Sequence, residues 1–307
     1  MNLQTITQAL ECGPAIGVAN LTMYPLLHGD ETPDETAAGY ATLDEALAAG
    51  FVTVTEVSES GHVPELTIVN NGPVPVFVLD GEELVGAKQN RIVNLSILVP
   101  AHTKLPLPVS CVEAHRWQHR SRAFAAAGRT HYASGRAMKV QQVSCSLRMH
   151  GERHADQGAI WDDIDAKSER MAAPSPTRAA AAMYEKARAD LDAFQARLEA
   201  VPRQVGAVFA INGAIVGLEL FDNAATWRKS MRKIVESYGL DALDRREEKK
   251  GRARRDPKRF LASVSATAVE TFPAVGLGED LRLRAPRIAG AALAVDQQLV
   301  HLLAYAC

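Results

Sequence analysis

Two stretches of this chain repeat one another, and the repeat narrows the fold more than any other feature. Residues 206–221 align without gaps on residues 290–305. Each copy reads as an apolar strand, a turn built on Asn212-Gly213 or Asp296-Gln297, and a second apolar strand. Strands joined by so short a loop pair antiparallel, because a parallel partner needs a crossover of about a dozen residues or more. Residues 76–86 carry a fainter version of the pattern around Asp80-Gly81. That dipeptide is itself a hairpin signal, since a type I′ turn needs positive φ at both central residues. Two full copies are too few for a solenoid. They are read as related hairpins in one architecture, with helices covering a face between them.

The flanking text agrees. From Ala15 to about Cys111 it is mainly strand-like, with β-branched runs at 51–57 and 65–69 and a turn at Asn70-Asn71-Gly72-Pro73. Residues 121–135 read as irregular. Beyond them Ser175-Pro176 supplies an N-cap and first-turn proline for a helix reaching about Ala200. Its apolar stripe is Met183, Ala187, Leu191, Phe194 and Leu198. A second amphipathic helix starts near Ala224, carries Trp227, Met231, Ile234, Val235 and Tyr238, and is expected to end at Gly239.

The expected class is therefore α+β: an antiparallel, hairpin-rich sheet or sandwich covered by several amphipathic helices. With no Pro/Gly/Ser linker dividing it, the chain is expected to form one compact domain over 1–307. Its parts would be a β-rich section at 15–117, a helical section at 135–202, and two hairpins flanking helices at 203–307. Of the 307 residues, 47% are hydrophobic, ample for a core. The net charge of -2 gives no global pull toward nucleic acid or an anionic membrane. No segment approaches the roughly 20 apolar residues that span a bilayer. The start has no basic-then-apolar leader, and the four cysteines show no C-x-x-C spacing. The expectation is a cytoplasmic protein.

Residues 91–113 hold the candidate site. Arg91, Val93, Leu95, Ile97 and Val99 share one strand face, and Leu105, Leu107, Val109, Cys111 and Glu113 share another. If Val99 faces Leu105, then Arg91 faces Glu113. A one-residue slip would turn an apolar row outward, whereas a two-residue slip keeps the faces and stays open. Pro106 and Pro108 deny the second strand two backbone donors, so it is expected to be an edge or only partly paired.

Arg91 with Glu113 has two readings, a structural ion pair and a site. Burial of a charge demands a partner, and Arg meets a carboxylate through parallel hydrogen bonds. The neighbours favour a site: Gln89 and Asn90 bring amides, Arg116 a second guanidinium and Trp117 a stacking plane. Two arginines and an aromatic suit a phosphate-bearing ligand. Glu82 and Glu83 point to opposite faces, so one of them is placed to converge with Glu113 and divide acid and base roles. Their bland reading is as solvated turn residues. Cys111, His115 and His119 have the spacing of metal ligands on a helix. Cys111 belongs to a strand end, however, so no metal is assigned. The run from Asp244 to Arg259 holds nine Lys or Arg residues. It lacks interleaved aromatics and reads as a solvated connection rather than a nucleic-acid reader.

The run 79–94, then Pro108 to Glu113 with Arg116-Trp117, resembles the bacterial family named for its association with ADP-ribosylglycohydrolases and rhodanese-phosphatases. Residues 206–221 and 290–305 are similar too, so the resemblance covers most of the chain. It implies a role near NAD-derived or ADP-ribose metabolism, and brings no established catalytic residues or cofactor. Two expectations follow. The first is an enzyme or ligand-binding domain for ADP-ribose-like or other phosphorylated ribose or nucleotide metabolites. There Arg91 and Arg116 would hold phosphate, Trp117 would stack, Gln89, Asn90 and Glu82 would line the site, and Glu113 with Glu83 would handle protons. The second is a non-catalytic interaction module that docks NAD- or ADP-ribose-metabolising enzymes.

Overall fold

A computed structural model describes residues 3–29, 38–58, 63–116, 121–248 and 256–307. It is α+β, and the chain divides into two compact units. The first comprises Met1–Ala38, Ala189–Pro273 and Gly278–Cys307; the second comprises Gly39–Arg188 and Ala274–Leu277. Among the described residues no helix is long and apolar enough to cross a membrane.

The first unit is built on a nine-stranded antiparallel sheet. Its middle is the repeated pair of hairpins, Gln204–Ile211 with Ala214–Phe221 and Ile288–Val295 with Gln298–Ala306. Both turns have positive φ at both central residues: +51° and +80° at Asn212-Gly213, +49° and +64° at Asp296-Gln297. That is the backbone whose twist matches paired strands. The likeness extends to a defect. The ladder skips Val216 in the first hairpin and Val300 in the second, which are aligned positions. The hairpins then pair with each other, with Gly217 opposite Tyr305, Glu219 opposite Leu303 and Phe221 opposite His301.

One face of this sheet packs Val208, Leu218, Leu220, Leu302 and Ala304 against Leu3, Leu261 and Val264 of the helices Leu3–Gln8 and Pro257–Ser265. Against the sheet also lies the helix Ala224–Asp244, whose Tyr238 stacks on Phe209 with ring centroids 4.1 Å apart. This helix runs through Gly239 instead of ending there. A β-carbon at Gly239 would lie 3.0 Å from Leu191 and from Phe194, so the glycine serves close packing and not a cap.

The second unit contains a closed six-stranded barrel, a form the sequence did not suggest. Its strand order is Thr103–Cys111, Glu65–Asn70, Val52–Glu56, Phe124–Thr130, Glu82–Gly86, Arg91–Val93. Leu66, Ile68, Leu84, Val93, Leu107, Val109 and Phe124 belong to the apolar core of this unit. Beside the barrel, Ile97–Val99, Val76–Val78 and Ala41–Thr42 form a small sheet. Closure accounts for two strands. Phe124–Thr130, read as irregular, is a strand because backbone pairing holds it despite its run of small residues. Thr103–Cys111 is paired with one strand over 103–108 and another over 109–111, so it is not an edge but only partly paired with each neighbour, the second of the two expected forms. Val109 gives its N–H to Pro64, at 3.0 Å. Pro106 and Pro108 alternate with it, so their missing donors face away from Glu65–Asn70.

Asp80-Gly81 does not join paired strands. Glu82 N–H donates to Leu79 C=O (3.1 Å) and only Gly81 of the two central residues has positive φ, as in a type II turn. The chain passes here from the small sheet to the barrel, and the true hairpin is the next one, Glu82–Gly86 with Arg91–Val93. The helix expected from Ser175 starts later, at Ala181, and breaks at Ala187. Residues 175–180 are taken up elsewhere: Ala179 bridges to Glu113, and Ala180 N–H donates to Val112 C=O.

Candidate functional site

The loop 87–90 carries Lys88, Gln89 and Asn90 from the strand Glu82–Gly86 to Arg91, opposite the end of Thr103–Cys111. The register is the two-residue slip: Arg91 faces Cys111, not Glu113. The slip leaves the apolar rows inside, so alternation alone does not distinguish the two registers. Arg91 Nη1 donates to Gln89 Oε1 at 2.7 Å and meets Cys111 Sγ at 2.5 Å. Burial pushes the Cys111 thiol up, against the pull of Arg91.

Glu113 pairs instead with Arg116, whose Nε donates to Oε2 at 2.7 Å. The same carboxylate accepts Asn90 N–H (3.3 Å) and the Thr177 hydroxyl (2.9 Å). Arg116 also donates to Ala87 C=O (2.9 Å) and to Asn90 Oδ1 (2.9 Å). Asn90 in turn donates to Glu83 (3.3 Å), and Glu83 is clasped through both oxygens by Arg129, at 2.6 and 2.9 Å. Burial opposes the charge on Arg129, but Glu83 outweighs it and the guanidinium pKa is raised. A chain of side chains thus runs Glu113–Arg116–Asn90–Glu83–Arg129. Glu82 and Glu83 are both buried, at 2% and 1% exposure, so the solvated-turn reading fails for each. Glu82 accepts Leu79 N–H at 3.1 Å.

A second polar cluster surrounds Asp80. Its oxygens receive Arg136 Nε (3.1 Å) and Lys139 Nζ (2.5 Å) from the helix Ala133–His150. Burial would push this carboxyl up, but Lys139 and Arg136 prevail and hold it below the ordinary carboxylate value. Gly81 is required here: its φ is +76°, and a β-carbon would come within 2.6 Å of Thr130 Oγ1. Beside this cluster His131 is buried and its pKa lowered to about 3, by burial first and then by Lys139, Lys167 and Arg136. It is neutral at physiological pH.

Residues 9–305 match the ARG and Rhodanese-Phosphatase-superfamily-associated Protein domain, ARPP-1. The chain belongs to the ARPP-1 family. No curated protein and no solved structure matches it.

Of the site residues expected in this ARPP-1 chain, Glu82, Glu83, Gln89, Asn90, Arg91, Glu113 and Arg116 are all buried in the second unit. Trp117 and His119 lie outside the described residues, as do residues 249–255 of the basic run. Arg129, Arg136, Lys139, Gln157 and Thr177 take part in the bonding of the two clusters and were not expected as site residues from sequence; Asp80 was read there as part of a turn. Thr177 directly follows Ser175-Pro176, which was read as a helix start. Among the described residues no three His, Cys, Asp or Glu side chains cluster as metal ligands would.

Proposed function

We propose that the second unit of this ARPP-1 chain binds a small phosphorylated ribose or nucleotide derivative, ADP-ribose-like in character. Charge balance carries the reading. Its described buried residues include six cations, Lys88, Arg91, Arg116, Arg136, Lys139 and Lys167, against four carboxylates, Asp80, Glu82, Glu83 and Glu113. Each has local partners, yet the buried balance stays positive. Net buried charge is costly, and a phosphate group, of about −2, offsets an excess of this size. The family's name, which records association with ADP-ribosylglycohydrolases and rhodanese-phosphatases, supports a ligand from ADP-ribose metabolism. In this reading Arg91 and Arg116 hold phosphate, and Glu113 with Glu83 handle protons if turnover occurs.

One observation favours a second reading. Glu113 and Glu83 each accept three hydrogen bonds, from Arg116, Asn90 and Thr177 and from Arg129 and Asn90. Carboxylates so fully engaged suit a structural clasp in a non-catalytic module that docks an ADP-ribose-metabolising enzyme.

A thermal-shift titration with ADP-ribose, ribose 5-phosphate and AMP separates the two. A ligand at about 100 times its Kd stabilises the fold by roughly 2.7 kcal/mol. The expected result is a saturable shift that Arg91→Ala abolishes, with Arg91→Lys as the variant to use if the alanine form does not fold. Glu113→Gln then tests turnover of whichever ligand binds. No shift with any of the three sinks the ligand reading and turns the search to co-purifying partners.

A further inference from the structure

We infer that the first unit carries a separate binding site for a small amphipathic organic anion, in a cavity flanked by Arg259 and Arg287. The cavity measures about 380 Å³ and is lined by the start of Ala214–Phe221, the start of Ile288–Val295, the end of Gln298–Ala306 and Arg259, Phe260 and Ser263 of the helix Pro257–Ser265. Ile215, Ile288 and Phe260 give it apolar lining. Its polar atoms divide by sign. Asp256 also lines it, but its Oδ1 accepts Arg259 N–H (3.0 Å) as the helix cap, and the Ser263 hydroxyl donates to Arg259 C=O (2.9 Å). The Ser263 hydroxyl and one of the two Asp256 oxygens are thus turned to the helix backbone. Cys307 lines the cavity too, and among the lining side chains the guanidinium groups of Arg259 and Arg287, both exposed, outnumber the one carboxylate of Asp256.

The placement of Arg287 is built into the sheet. It sits in the two-residue turn joining Glu279–Ala285 to Ile288–Val295, and its C=O accepts Cys307 N–H at 3.1 Å. The backbone is fixed while the side chain stays available. Arg presents a planar fork that matches a carboxylate or phosphate, and its weak hydration lets it work beside apolar surface. Small-molecule sites span about 300–1,000 Å³, so this cavity is at the low end and suits a small aryl body or a short acyl chain bearing one anionic head. A dinucleotide is too large for it. This site is therefore independent of the reading proposed for the second unit.

The test is fluorescence titration of the full chain with 1-anilinonaphthalene-8-sulfonate, an aromatic anion that brightens in apolar surroundings. One saturable site is expected. The double variant Arg259→Ala/Arg287→Ala should bind at least about tenfold more weakly, as loss of charge-assisted hydrogen bonds implies. Its melting temperature should be unchanged, since both side chains are exposed. Octanoate and salicylate then compete: displacement by the first identifies an acyl body, by the second an aryl one. Undiminished binding by the double variant, or failure of both competitors, overturns the assignment.

Discussion

The side chain of Gln157 closes both backbone groups of Cys111. Its Oε1 accepts the Cys111 N–H at 2.7 Å and its Nε2 donates to the Cys111 C=O at 2.8 Å. One amide at the start of the helix Gln157–Arg170 thus does what a neighbouring strand would do for the last residue of Thr103–Cys111. Cys111 is the residue opposite Arg91, so this contact fixes the strand end on which the candidate site is assembled. Gln157→Ala leaves two buried backbone groups without their partner, each costing about 1–3 kcal/mol. A loss of stability of that order is expected in urea unfolding, whereas Gln157→Ala at parental stability would show the contact to be dispensable.

Asp80 makes stability depend on pH in a defined direction. Its folded pKa lies below the unfolded value of about 3.9, so the folded state binds fewer protons than the unfolded chain between the two values. The contribution is therefore present above the unfolded value and lost as pH falls through the folded one. Asp80→Asn is expected to cost about 3–5 kcal/mol at pH 7, because it leaves Arg136 and Lys139 buried against a neutral amide. The gap between variant and parent should narrow below about pH 3.9. A gap of constant size along the acid limb would mean that Asp80 is not ionised in the fold.

The second hairpin turn holds a strained side chain. Gln297 has φ +64°, where its counterpart in the first hairpin is Gly213. A side chain in left-handed backbone costs roughly 1–2 kcal/mol, part of which glycine returns to the unfolded chain as entropy. Gln297→Gly is expected to raise stability by up to about 1 kcal/mol, read as a higher melting temperature. Lower stability would place a needed contact on the Gln297 side chain.

The parts legible in sequence were those set by neighbouring residues. The hairpins at 204–221 and 288–306 could be read because alternation and a two-residue turn lie within one short window. The same dipeptide logic misled at Asp80-Gly81, where the flanking strands find partners far along the chain. Barrel closure depends on Phe124–Thr130, whose small residues carry no period-two signal. The candidate site was legible as a set of charged and amide residues near strand ends, not as a set of partners and not in the burial of both Glu82 and Glu83. Arg91 changed its partner because a two-residue slip leaves the apolar pattern intact. The counter-charges of Asp80 arrive from Arg136 and Lys139, on a helix whose sequence gives no sign of where it docks.

Glu219 and Leu303 occupy equivalent places in the two hairpins and face one another across the strands that join them. The pairs on either side exchange equivalents, Gly217 opposite Tyr305 and Phe221 opposite His301. The centre of the sheet is thus an isologous interface enclosed in one polypeptide, with a local twofold axis passing between Glu219 and Leu303. In a true homodimer of hairpins the residue on the axis would meet its own copy, and two buried glutamates there would repel. This chain has leucine in the second place, and Glu219 turns to His301 and Tyr305, at 2.9 and 3.3 Å. Carrying both halves in one sequence lets a single carboxylate sit at a point that strict symmetry would deny it.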